Sequence, residues 1–441
     1  MEWEKLLSKE RLDNDEIKTE KGRNDFHKDY DRIIFSGAFR RLGKKTQVHP
    51  MPDNDHIHGR LSHSLEVSCV GRSLGMKVGE QLNLPEGLTA NDLGTIVQSA
   101  CLAHDIGNPP FGHVGEDAIR SWFQEHEEKY LRDLKPEEKM DLLSFEGNAQ
   151  GFRIITQIEY RLFEGGMRLT YPTLGTYLKY PWTSKHYQEE GKKHGCNQAE
   201  LHLLKKVTNQ LGLVEESSEK WSRHPLAYLV EAADDICYAL IDLEDAVEMG
   251  ILPYEELERT WEAIIEGNKK QLEKSGYYKY EPTDSDRRKI ASLRGLVIDH
   301  LVNSVVDTFI EYQESILAGS YDSKSLIAKS KYYLEEPINK AKEIAKDKIF
   351  NHARKVQLEI GSYHVIENLL GAFCSAAYEL HEKGEEKLSY KNRRILDLMG
   401  TNKPQNEWSL YEKYLRILDY ISGMTDNYAT YIGKQIGGLA N

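Results

Sequence analysis

The most regular feature of the chain is an apolar recurrence at three- and four-residue spacing, which predicts helices. From Ser64 to Leu82, the positions Val67, Val70, Leu74 and Val78 form one buried stripe. Leu93, Ile96, Val97, Ala100 and Cys101 form a second, with Thr89 or Asn91 as its cap and a stop near Gly107 and Pro109. A third helix opens near His113 and runs through Trp122. The longest clear pattern covers Pro225 to Met249, with Pro225 near the first turn and Gly250 past the end. Further helical patterns cover roughly 254–274, 286–318, 335–348, 352–382 and 406–434. Strand patterns are few: Gln47-Val48-His49 and His56-Ile57-His58 flank a turn and read as a short hairpin. The stretch from Leu169 to Cys196 has no steady period and reads as a long ordered loop. The expectation is a mainly α chain with a helical core over 1–265. Helices of 266–441 pack on that core, giving one compact unit.

Composition narrows this picture only a little. Hydrophobic residues make up 39% and charged residues 29% of the 441 positions, as in a soluble helical protein with solvated faces. No run approaches the roughly 18 apolar residues of a spanning helix. The first residues, Met1-Glu2-Trp3-Glu4-Lys5, lack the basic and apolar regions of a secretory signal. The five cysteines form no C-x-x-C pair, which fits reduced thiols. A cytoplasmic protein without membrane contact is expected. The net charge of -13 argues against a generic nucleic-acid binder, because duplex binding relies on surplus Lys and Arg. A small anionic substrate needs only a local basic pocket or intervening cations.

Candidate chemistry starts at His104-Asp105, which ends an apolar helix just before Ile106-Gly107-Asn108-Pro109-Pro110. With 16 histidines in the chain, a single His-Asp pair has little weight alone. An imidazole and a carboxylate together suit a divalent ion such as Mn, Fe, Ni, Mg or Zn. His63 and Asp234, on other predicted helices, would complete a four-ligand set with positions left for water. Taken alone, His63 reads better as a structural histidine. Asp234, Tyr238 and Asp242 fall at i, i+4 and i+8, a stripe about 12 Å long that drifts about 40° per step. The stripe lies beside the apolar positions Val230, Ala233, Cys237 and Ile241, where a carboxylate is costly unless paired or metal-bound. The other reading of these acids is a solvated face.

His63, His104-Asp105 and Asp234 in this order make the H…HD…D signature of the HD-domain phosphohydrolases. Finer text resembles the bacterial deoxyguanosine triphosphate triphosphohydrolases within that superfamily. It includes Tyr30-Asp31-Arg32-Ile33-Ile34, Ala38-Phe39-Arg40-Arg41-Leu42, Lys45-Thr46-Gln47-Val48 and Arg60-Leu61-Ser62-His63. It continues in Asn108-Pro109-Pro110-Phe111-Gly112-His113, Lys179-Tyr180-Pro181-Trp182, Glu231-Ala232-Ala233-Asp234 and Gly423-Met424-Thr425-Asp426. The matches span nearly the whole chain. The resemblance implies a mainly α, HD-domain helical core and a homo-oligomer, tetramer or hexamer. It also implies cleavage of a deoxynucleoside triphosphate into deoxynucleoside and inorganic triphosphate. A nucleotide or single-stranded DNA effector is a further implied partner.

Roles follow from the same resemblance. His113 matches a catalytic histidine and Glu116 the acid that orients it, an arrangement suited to general acid–base work. Arg60 matches a phosphate-gripping arginine, whose planar fork fits phosphate oxygens. Gln47, Tyr238 and Asp242 match residues around the sugar, Tyr238 where a 2′ hydroxyl would project. In an animal relative of this family, which carries a sterile-alpha-motif domain, a lysine follows the fourth metal ligand, whereas Asp235 does here. The missing cation is expected from Lys348, His352, Arg354 and Lys355, or those residues are solvated helix charges. Lys179 and Tyr180 either line the pocket or stiffen the loop. Two other functions compete: a nucleotide phosphodiesterase or 5′-nucleotidase on the same metal chemistry, and a nucleotide or single-stranded nucleic-acid binding protein without catalysis.

Overall fold

The computed structural model describes residues 1–13, 22–47, 56–160, 166–265, 284–323, 325–332, 334–350 and 353–438. Among these, the helices of ten or more residues, numbered in chain order, begin with α1 (Asp25–Ile34), α2 (Arg60–Gly79), α3 (Ala90–Ala103) and α4 (His113–Glu125). They continue with α5 (Leu201–Leu211), α6 (Ala227–Glu248), α7 (Tyr254–Ile265) and α8 (Asp286–Glu311). The last four are α9 (Glu335–Ile344), α10 (Ala353–Lys383), α11 (Leu410–Ser422) and α12 (Asp426–Ile436). The chain is mainly α. Its described strands are Glu215–Ser217 and Lys220–Trp221, paired antiparallel. No helix among the described residues is long and apolar enough to cross a membrane.

The predicted stripes are the buried faces. Val67, Leu74 and Val78 of α2 meet Leu93, Val97 and Cys101 of α3 in one apolar cluster. Leu229 and Ile236 of α6 and Val297 and Leu301 of α8 complete it. Thr89 caps α3 through a box in which its backbone N–H and hydroxyl both donate to Asp92 Oδ2 at 2.8 Å. A second cluster joins Ile119, Trp122 and Phe123 of α4 to Ile366, Leu370 and Phe373 of α10 and to Tyr414 and Leu418 of α11. Each cluster draws residues from both sides of position 265.

Two local expectations differ from the structure, and a third falls mainly outside the described residues. The pattern over 406–434 is two helices, because the chain breaks at Gly423–Thr425 and Thr425 caps α12 by accepting Tyr428 N–H. The expected loop 169–196 contains a helix, Tyr171–Tyr177, with Thr170 as cap and Pro172 in its first turn. The expected hairpin around residues 48–55 lies outside the described residues, while the observed hairpin closes at Ser217–Lys220.

Candidate active site

The N-terminal ends of α2 and α4, the C-terminal end of α3 and the middle of α6 converge on one cavity of about 520 Å³. Gly107 follows His104-Asp105 with φ +110°, and a Cβ there would lie 2.2 Å from Gly147 O and Gly151 N. Only glycine allows this turn to seat against the helix Gly147–Arg153, which fixes the end of α3 at the cavity wall.

His63 Nε2 lies 3.2 Å from Asp234 Oδ1, and His104 Nε2 lies 3.5 Å from the same oxygen. Ligand atoms of these three residues all fall within 4.8 Å of one another. His104 Nδ1 is 2.6 Å from Cys101 O, which can only accept, so Nδ1 carries a proton and Nε2 is the nitrogen turned toward the acids. Asp105 stands beside the trio, its Oδ1 3.7 Å from His104 Nε2. That oxygen accepts from Arg60 Nη1 at 2.7 Å and Asn108 Nδ2 at 2.6 Å, while Asp105 Oδ2 is buried without a hydrogen-bond partner. Two imidazole nitrogens, a shared carboxylate and an orphaned carboxylate oxygen suit a divalent ion. Burial would raise both carboxyls, but nearby cations outweigh it. Arg60, then His104 and His63, bring Asp105 down to about 2, and Lys179 above all holds Asp234 well below the usual range.

Across the cavity, His113 opens α4 with its side chain 80% exposed, free to meet a ligand. Its Nδ1 lies 2.9 Å from Glu116 Oε2, and Glu116 Oε1 accepts Gly147 N–H at 2.8 Å. Glu116 is buried, which would raise its carboxyl, yet the His113 bond leads the effects that lower it to about 2. A fixed anion on Nδ1 leaves Nε2 as the working nitrogen.

Of the other expected residues, Gln47, Arg60 and Tyr238 line the cavity. Gln47 Oε1 is buried without a partner. Asp242 is buried farther along α6 and is absent from the lining, so the stripe reaches the cavity at Asp234 and Tyr238 alone. Lys348 is drawn to Glu256 at 2.6 Å, and His352 and the side chains of Arg354 and Lys355 lie outside the described residues. The cation beside Asp234 is Lys179, whose Nζ bonds Asp234 Oδ2 at 2.6 Å, while Asp235 pairs with Lys342. Lys193, Glu146 and Asn148 also line the cavity, as do Glu359 and Ser362 of α10. No local pattern marked these five, since they reach the cavity only through the folded path of the chain. Acids outnumber Lys and Arg in the lining, with Asp105, Glu116, Glu146, Asp234 and Glu359 set against Arg60, Lys179 and Lys193. An anion entering here therefore calls for divalent counter-charge.

Comparison with known proteins agrees with this architecture. The HD domain family model matches residues 60–172. A "Deoxyguanosinetriphosphate triphosphohydrolase-like protein" of Pseudomonas aeruginosa is 54% identical over the full length of both chains. A protein of the same description from Synechocystis is 39% identical, again over both full lengths. A "Deoxyguanosinetriphosphate triphosphohydrolase" of Yersinia pestis is 31% identical over 92% of each chain. The chain belongs to the deoxyguanosinetriphosphate triphosphohydrolase-like family of the HD-domain superfamily.

Proposed function

We propose that this protein hydrolyses deoxynucleoside triphosphates, dGTP among them, to deoxynucleoside and inorganic triphosphate. The observation that supports this most is that the His63, His104 and Asp234 donors and the His113–Glu116 pair open onto one cavity. Its volume suits a ligand of nucleotide size. The Yersinia pestis relative carries the corresponding name.

In this reading His63, His104, Asp105 and Asp234 hold a divalent ion. When bound, the ion activates water and offsets charge on phosphoryl oxygens. Arg60, Lys179 and Lys193 orient the triphosphate, and Gln47 and Tyr238 hold the sugar end. Water oxygen bonds to the α-phosphorus as the bond from that phosphorus to O5′ breaks. His113, kept in one orientation by Glu116, gives a proton to the departing O5′, while the attacking water releases one to solvent, from which His113 is reprotonated. The orphaned Gln47 Oε1 is free to accept the 3′ hydroxyl's hydrogen. Tyr238, which also lines the cavity, crowds the 2′ position, which penalises a ribonucleotide. We also propose that the chain works as a homo-oligomer; a monomer mass by light scattering overturns that part.

The test is product identity. Purified protein with Mn or Mg is incubated with each deoxynucleotide and ribonucleotide, and products are separated by ion exchange and identified by mass spectrometry. Triphosphate with deoxynucleoside is the expected result. Orthophosphate or pyrophosphate instead would point to a phosphodiesterase or nucleotidase, and no turnover would point to a binding protein.

A further inference from the structure

The Gly423–Asp426 segment lies far from the cavity in sequence, and the proposed chemistry assigns it nothing. In the fold it closes on two cavity-forming segments at once. Asp426 is 4% exposed at the start of α12. Thr425 already caps that helix, so the Asp426 carboxylate is not spent on the helix end. Its Oδ2 accepts Thr46 N–H at 2.8 Å and the Thr46 hydroxyl, and its Oδ1 accepts Phe111 N–H at 2.9 Å. Beside it, Lys45 Nζ donates to Asn108 O and to Ser422 O, each at 2.6 Å.

Each segment held this way carries a proposed site residue. Thr46 directly precedes Gln47. Phe111 has φ +65°, a conformation rare for a non-glycine residue, and must be held there by its surroundings. Gly112 follows at φ +61°, and a Cβ on it would lie 2.6 Å from Arg60 Nη2, so the Arg60 guanidinium rests on this turn. Gly112 is also the cap residue before His113. One carboxylate thus ties the backbone next to Gln47 to the backbone beneath Arg60 and His113.

We infer that Asp426 is a positioning residue that sets the distance between the sugar-contacting Gln47 and the reacting end at Arg60 and His113. The inference rests on the proposed dNTP hydrolysis for its kinetic consequence, and on geometry alone for the latch. Asparagine has the same shape but one acceptor oxygen, so Asp426→Asn must turn an N–H₂ toward either Thr46 or Phe111.

The experiment measures kcat/KM for dGTP and for 2′,3′-dideoxyGTP in wild type and Asp426→Asn, with metal content and melting temperature alongside. Loss of register between Gln47 and the phosphates is expected to lower dGTP turnover about 10- to 100-fold. It also brings the two substrates' kcat/KM values closer by about tenfold, with metal retained. A purely structural role lowers both substrates alike, so an unchanged ratio overturns the inference whether turnover falls or not. If Asp426→Asn fails to fold, Thr46→Val carries the same test, with a smaller narrowing expected and an unchanged ratio again decisive against it. If wild type hydrolyses no deoxynucleotide, the functional reading fails separately. Hydrogen exchange of Asp426→Asn then decides the latch. Faster exchange over 44–47 and 108–113 with α3 unchanged upholds it, and wild-type exchange in both segments overturns it.

Discussion

At the scale of single residues, the two halves of the proposed chemistry rest on separable groups. His113 is exposed to the cavity and bonded to Glu116, whereas Asp234 is the oxygen donor on which His63 and His104 converge. His113→Ala is expected to retain metal while turnover falls by about 10²- to 10⁴-fold, the usual range for a positioned proton donor. Asp234→Ala is expected to lose metal, leaving two imidazoles and Asp105, whose Oδ1 is already held by Arg60 and Asn108. Metal analysis by mass spectrometry beside turnover distinguishes them; metal retained in Asp234→Ala would show that another acid is the ligand.

At the scale of elements, the start of α2 must be held against α6 for His63 to face Asp234. His58, just before α2, does this by placing Nδ1 2.6 Å from Asp245 Oδ1 on α6 and Nε2 3.4 Å from Glu66 Oε1 on α2. Burial alone would lower the His58 pKa, but the bonds to Asp245 and Glu66 outweigh it and raise it to about 10. The charged imidazole is therefore the form that favours folding. Its contribution is complete below the ordinary value of 6.5 and fades as pH rises through about 10. His58→Gln is expected to cost about 1.5–3 kcal/mol near pH 6, the range for hydrogen bonds to charged groups. The difference from wild type should shrink towards pH 10 in denaturant unfolding curves, and a gap constant with pH would refute this role.

At the scale of the whole molecule, buried charge stitches the cavity scaffold to the C-terminal helices. Arg153, at the end of the helix that seats the Gly107 turn, donates from Nε and Nη2 to Asp419 of α11 at 2.8 and 3.0 Å. Its Nη1 binds Glu200. Arg153→Met would leave buried Glu200 without its cation and Asp419 with the longer Arg416 contact at 3.5 Å, so about 3–5 kcal/mol of stability should be lost. A loss below about 1 kcal/mol in equilibrium unfolding would mean that the acids are relieved in another way. α10 also forms a cavity wall, with Glu359 and Ser362 lining it beside residues from the first half of the chain.

Periodicity and motif text determined much of this protein. The apolar stripes of α2, α3 and α6 were legible because a helix repeats its buried face at fixed spacing, a local property. His63, His104 and Asp234 were legible as a set through family text, and Thr89 and Gly250 through their roles at helix ends. Distances between separate segments are not local, and only the tertiary structure decided those. It set Lys179 on Asp234, turned Arg60 and Asn108 onto Asp105, and left Asp242 outside the cavity. It brought Lys193 and Glu359 to the cavity from segments without a motif, because cavity walls are chosen by how helices pack. Asp426 joins both kinds of information. Its text was legible as a motif, but its three donors, from Thr46 and Phe111, are set by the packing of α12 against the cavity turns.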